Sequence, residues 1–324
     1  MSKFKKQIAF LFGAIAMIAY CSVQFFPSQV KETTPVIAAR DEGVHMQIYL
    51  KDQDHTLVPL SIPVNEEMSE EDKLQLMVAY MSGKQEIEGF HPLFQKECTM
   101  NKVKIQNGIA SLYFDESLKN YQKEDELRVL EALTWGATQF HDIEQVKLFM
   151  NDTQLRVMPN ANTPIPDVLN RSIGINHFET STTSLHDSSS LTVFYTKKIQ
   201  GQEYMVPRSR RVRMESDELK SSVSSILQDV SASSELVQPL YADDIQIEDF
   251  QIFDGSLVVN LNKNILANDR SVKQDVYNAL VLSLATLPGI EKVELKVDGV
   301  VVSPKKQKAE MVSVYDLSYN EVKF

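Results

Sequence analysis

The chain repeats itself at a long interval. Val103-Lys-Ile-Gln-Asn-Gly-Ile-Ala-Ser-Leu-Tyr-Phe114 matches Phe250-Gln-Ile-Phe-Asp-Gly-Ser-Leu-Val-Val-Asn-Leu261, so the turn glycines Gly108 and Gly255 stand 147 residues apart. The same offset aligns Asp142-Ile-Glu-Gln-Val-Lys-Leu-Phe-Met-Asn-Asp152 with Gly289-Ile-Glu-Lys-Val-Glu-Leu-Lys-Val-Asp-Gly299. A period of this size is too long for a solenoid and fits duplication of a whole small domain. With 324 residues, of which 43% are apolar and 24% charged, the chain has the length and composition for two ordinary globular domains.

Within each copy the elements recur in one order. His45–Leu50 and Leu57–Ile62 read as a hairpin, matched by Leu191–Thr196 and Tyr204–Val212. Ser69 before Glu70, Glu71 and Asp72, and Ser216 before Asp217 and Glu218, read as helix N-caps with acids at the positive dipole end. Leu74, Met77, Val78 and Met81 then fall on one helical face, as do Leu219, Val223, Ile226, Leu227 and Val230. Asn107-Gly108 and Asp254-Gly255 each join two alternating runs, the signature of a type I′ hairpin. A second helix is expected to turn Leu127, Leu130, Leu133, Ala137 and Phe140 inward, and Tyr277, Leu280, Leu284 and Leu287 in the other copy. Each copy closes with a strand turned at Asn151-Asp152 or Asp298-Gly299. The order is β-β-α-β-β-α-β-β, giving an α+β fold in which each tandem domain has a mostly antiparallel sheet and two helices.

The N-terminus reads differently. Three lysines among the first six residues precede an apolar run from Ile8 to Phe26, long enough for a bilayer span with a cytoplasmic N-terminus. Lipid attachment at Cys21 is a competing reading, although Tyr20 stands where a lipobox has a small residue. A cleaved secretory signal is another, without an evident small-x-small site. The expected layout is an anchor or lipoprotein signal at 1–26, a spacer at 27–43, domains at 44–158 and 191–303, a linker at 159–190 and a tail at 304–324. The domains are thus expected to be extracytoplasmic, held at the membrane by the N-terminal segment.

Catalytic patterns are missing. There is no Gly-x-Ser-x-Gly elbow, P-loop, dinucleotide fingerprint or His-Glu-x-x-His, and the six histidines show no helical pairing. No catalytic residue, metal ligand or cofactor is expected, which disfavours peptidoglycan hydrolysis. Cys98 reads as a small buried residue. A net charge of −11 argues against a dedicated nucleic-acid binder. The candidate interaction residues are Arg208, Arg210, Arg211 and Arg213, which replace the mainly apolar Leu60-Ser-Ile-Pro-Val-Asn65 of the first copy. They suit an anionic wall polymer, an anionic lipid surface or an acidic partner protein, or else the solvated edge of a sheet.

Thr286-Leu-Pro-Gly-Ile-Glu-Lys-Val-Glu-Leu-Lys-Val-Asp-Gly299 resembles the closing signature of the sporulation and germination domain called GerMN. Asp254-Gly255-Ser-Leu-Val-Val-Asn-Leu261 resembles its central hairpin, and Leu191-Thr-Val-Phe-Tyr195 with Val206-Pro207 its opening one. The first copy is similar through Met46–Leu50, Leu57-Val-Pro59, Asn107-Gly108 and Val146–Met150. It departs at His141-Asp142, which replaces Pro-Gly, while the second copy lacks glycines matching Gly83 and Gly89. The resemblance implies an extracytoplasmic protein of endospore-forming bacteria, needed for spore formation and germination. It also implies a non-enzymatic part of an envelope protein complex between mother cell and forespore. The alternative drawn from the residues alone is a cell-wall binder using segment 208–213.

Overall fold

A computed structural model of the chain describes residues 44–95, 97–177, 188–213, 222–223, 225–226, 245–305 and 310–322. All of them fall within one compact unit. The expected anchor, Cys21, the spacer, Ser216 with its acids, Leu219, Leu227 and Val230 lie outside the described residues.

The first copy contains β1 (Val44–Lys51), β2 (Leu57–Val64), α1 (Glu70–Met81), β3 (Met100–Gln106), β4 (Ile109–Phe114), α2 (Glu126–Ala137), β5 (Gln145–Met150) and β6 (Thr153–Gln154). The second contains β7 (Ser188–Ile199), β8 (Gln202–Arg213), helical residues at Ser222, Val223, Ser225 and Ile226, β9 (Ile247–Phe253), β10 (Ser256–Leu261), α3 (Gln274–Leu284), β11 (Lys292–Val297) and β12 (Val300–Val301). Each copy has two sheets rather than one. The hairpins β1–β2 and β7–β8 stand apart from the mixed sheets β3-β4-β5-β6 and β9-β10-β11-β12. In each mixed sheet one pair is parallel, β4 with β5 and β10 with β11, because α2 or α3 supplies the crossover a parallel pair needs.

The local signals explain these elements. Asn107, Gly108, Asp254 and Gly255 all have positive φ, as type I′ turns demand. Ser69 accepts from the Asp72 N–H and caps α1, whose Leu74, Met77, Val78 and Met81 are buried. On α2, Leu130, Leu133 and Ala137 are buried, but Leu127 is 45% exposed, contrary to the inward position expected for it. Glu126 faces inward in its place, 1% exposed, accepting from the Asn160, Ala161 and Thr163 backbone N–H groups and from the Tyr121 hydroxyl. Four donors satisfy the carboxylate, so the loop it organises takes the core side of the helix.

The repeat runs further than the alignment suggested. Leu169 bridges Val146 on β5, and β13 (Val312–Ser313) pairs with β11 at Val293, the position equivalent to Val146. A short 3-10 turn follows in both cases, at Arg171–Ile173 and Val314–Asp316. Residues 160–177, expected as linker, and 310–322, expected as tail, are therefore matching extensions of the two domains.

Candidate functional site

The extensions lead to the seam between the copies. Asn176 and Asn320 each sit in left-handed backbone, at φ 48° and 56°. The Asn176 carboxamide accepts from Leu57 N at 2.8 Å and donates to Leu57 O at 2.8 Å and Pro207 O at 2.9 Å. The Asn320 carboxamide accepts from Met205 N at 2.8 Å and donates to Met205 O at 2.8 Å and Pro59 O at 2.7 Å. Leu57 and Met205, like Pro59 and Pro207, are equivalent at an offset of 148, so each asparagine grips its own copy's hairpin and reaches across to the other. The preceding residues obey the same rule. The Ile175 N–H donates to Ser209 Oγ at 2.8 Å and the Tyr319 N–H to Ser61 Oγ at 3.4 Å, with both serines buried. The seam has approximate twofold symmetry within one chain.

Apolar and charged groups close it. Ile199 and Val206, from the β7–β8 hairpin, belong to the first copy's core, and Tyr204 packs edge-on to Phe90 at 5.2 Å. This explains why β2 reads as an almost unbroken apolar run. It is covered on both faces, unlike a half-exposed strand. Lys51 and Lys197 are equivalent residues with different partners. Lys51 pairs with Asp125 of its own copy, while Val272 stands where the second copy would need that acid. Lys197, 6% exposed, turns instead to Asp52 at 2.7 Å and Asp54 at 2.9 Å in the first copy. Burial by itself would lower the Lys197 pKa, but the two carboxylates raise it.

Positions where the copies disagree in sequence cluster here too. A Cβ on Gly89 would lie 3.0 Å from the Gln200 side chain at the tip of the second hairpin, and Gly89 has φ +85°. His141 packs its ring 4.9 Å from Tyr315 of the C-terminal extension. The expected arginine segment lies in β8 beside the same seam, where Ser209 N donates to Ile175 O at 2.9 Å. Arg208 and Arg210 are half-buried and Arg211 is exposed, and each is already engaged by neighbouring groups. Arg213 pairs with Ser188 in the strand. The segment thus borders the seam through Ser209.

Burial and hydrogen bonding account for the perturbed carboxyl and thiol groups around the first copy's core. Burial pushes the Cys98 thiol up to about 12, which suppresses the thiolate a nucleophile needs. Burial pushes Glu131 up to about 7, against the Asn176 N–H and Arg128. Burial would also raise Glu126, but the Ala161 and Thr163 N–H groups and the Tyr121 hydroxyl hold it down at about 2. Trp135 on α2 is 2% exposed and donates to Gly174 O at 2.8 Å. Among the described residues no group of three or more His, Cys, Asp or Glu could hold a metal ion, and no helix is long and apolar enough to cross a membrane. The asparagine pair escaped sequence reasoning because its offset, 144, breaks the 147 register.

One exposed surface differs sharply between copies. On the first copy's sheet Tyr113 stacks on Phe149 at 4.4 Å, with Lys102 and Lys104 over the Tyr113 ring at 5.3 and 5.7 Å. The equivalent positions in the second copy are Asn260, Lys296, Asp249 and Gln251.

The Germane family model, described as sporulation and spore germination, matches residues 47–156 and 192–303. Over 265 residues the chain is 29% identical to the spore germination protein GerM of Bacillus subtilis (strain 168), covering 79% of this chain and 72% of that protein. The solved structure of the tandem GerMN domains of the sporulation protein GerM from Bacillus subtilis matches with a TM-score of 0.74 at 29% identity, covering 83% of this chain and 97% of that one. Two matched domains and an extended structural match put the chain in the Germane family of sporulation and spore germination proteins, as a member with the domain in tandem.

Proposed function

We propose that this protein is a non-enzymatic docking module of a cell-envelope complex in sporulation and spore germination. It is held outside the cytoplasmic membrane by its N-terminal segment, as a single span or through lipid on Cys21. The observation that carries the reading is the seam, which joins the two copies into one body and spends its buried polar groups on that joint. A rigid body of this kind presents surfaces in fixed relation, which is what an assembly component needs and what a catalyst without reactive groups cannot exploit. The docking face is the Tyr113–Phe149 stack with Lys102 and Lys104, because aromatic residues are enriched at interfaces and the lysines over the Tyr113 ring give the face a positive charge that complements an acidic partner. Its partner is an envelope protein with an acidic face.

Crosslinking in sporulating cells followed by copurification tests this. Envelope proteins are expected with the parent chain and a marked loss of them with Lys102→Glu/Lys104→Glu. Recovery of no envelope protein would remove the docking role, and equal recovery with the variant would remove the assigned face. The wall-polymer alternative requires accessible arginines. It predicts salt-sensitive sedimentation with purified walls that disappears when Arg208, Arg210, Arg211 and Arg213 become glutamine.

A further inference from the structure

A cavity of about 410 Å³ opens between the copies, within the roughly 300–1,000 Å³ range of small-molecule sites. Its lining pairs off through the repeat. Trp135 and Leu282, and Thr138 and Ala285, are equivalent positions, Arg171 and Tyr315 come from the two matching extensions, and all six line it. The pairs are chemically unequal. The first copy contributes a cation and a hydroxyl where the second contributes an aromatic ring and a methyl group.

This lining holds one buried polar atom without a partner and one cation with an N–H to spare. Arg171 donates from Nε to Thr138 Oγ1 at 3.0 Å and from Nη2 to Thr138 O at 3.1 Å, and its guanidinium lies 4.8 Å from the centre of the Trp135 ring. These contacts fix its position at the C-terminal end of α2, where a cation is favoured. Among the described residues they leave Nη1 without a hydrogen bond, and no carboxylate lies within ion-pair distance of the half-buried guanidinium. His45 Nδ1 is buried without a hydrogen-bond partner. A buried polar atom without a partner is uncommon because it forfeits the hydration it had in water. Glu144 also lines the cavity but is exposed, so solvent screens its charge.

We propose that this cavity binds a small amphipathic monocarboxylate. Arg171 takes the carboxylate through Nη1, His45 Nδ1 adds a donor in its N–H tautomer, and the apolar body rests on Leu282 and Ala285. A single cation opposite an apolar wall matches one negative charge. A phosphate dianion would leave charge uncompensated in a half-apolar space. Because the walls come from both copies, the ligand bridges the seam and stabilises the joined form.

Calorimetric titration of the full-length chain in lipid nanodiscs, corrected for empty nanodiscs, tests this with hexanoate and its neutral isostere hexanamide as probes. Saturable hexanoate binding is expected, with hexanamide weaker by about tenfold, the equivalent of 1.4 kcal/mol. Arg171→Gln is expected to remove the preference for the acid over the amide. Ala285→Leu, which fills the apolar side and leaves Arg171 in place, is expected to weaken both probes. Absence of saturable hexanoate binding to the parent would overturn the proposal. So would equal affinity for acid and amide, or unchanged hexanoate affinity in folded Ala285→Leu, judged by circular dichroism.

Discussion

Asn176 and Asn320 perform one task from opposite sides of a seam. Each uses its carboxamide as a substitute peptide group, pairing with both the N–H and the C=O of one residue on its own hairpin and donating once to the other copy. The left-handed backbone at both positions suits asparagine better than most residues. Replacing Asn320 by Ala leaves Met205 N–H, Met205 O and Pro59 O without that partner, so a loss of about 3 kcal/mol is expected in urea unfolding. Asn176→Ala is expected to be similar in size, because its three bonds match.

Lys197→Met tests the charged part of the seam. Asp52 is 2% exposed, and removing its ammonium partner leaves a buried carboxylate unpaired. The expected cost is about 3–5 kcal/mol, measured from the denaturant midpoint at neutral pH. A change below about 0.5 kcal/mol, the scale of an ordinary surface substitution, would mean the pair is solvated.

Glu131 makes the joint sensitive to pH. Its carboxyl titrates near 4.5 without the fold and about 7 within it, raised by burial. Between those values the folded protein holds more protons than the unfolded chain, so this group's contribution is full below about 4.5 and is lost as pH rises through about 7. Glu131→Gln is expected to flatten stability over that window and to exceed the parent in stability above neutrality. Urea midpoints measured across the window check it, and parallel profiles for the two proteins would contradict it.

Glu126 and Leu127 reverse the expected polarity of α2. Leu127→Lys is expected to change stability by less than about 0.5 kcal/mol, since the side chain is largely in water. Glu126→Gln is expected to cost about 2 kcal/mol at neutral pH through weakened charged hydrogen bonds. Its native carboxyl is held down at about 2, so that cost shrinks as pH falls from about 4.5 toward 2. Paired denaturation curves at acid and neutral pH measure both.

The sequence was most legible where one residue type meets a local backbone demand. Asn107-Gly108 and Asp254-Gly255 require positive φ, and Ser69 caps a helix through its own neighbours. The α+β class and the element order followed from such signals. Leu127 was misread because periodicity assumes apolar residues face inward, and it cannot register that Glu126 meets four donors from distant segments. The seam was illegible for a related reason. Its specificity rests on two loop asparagines whose partners lie 119 and 115 residues away, and the register between the copies slips by three residues before reaching them. The sequence differences at Gly89 and His141 were visible, but only the fold shows that both touch the other copy or its extension.

Scanning calorimetry of the full-length chain in nanodiscs tests most directly whether the two copies form one body. A single transition is expected, with calorimetric and van't Hoff enthalpies equal, and Asn320→Ala should shift that transition down. Two separable transitions in the parent protein, with Asn320→Ala moving neither, would contradict the joined architecture and the docking role that depends on it.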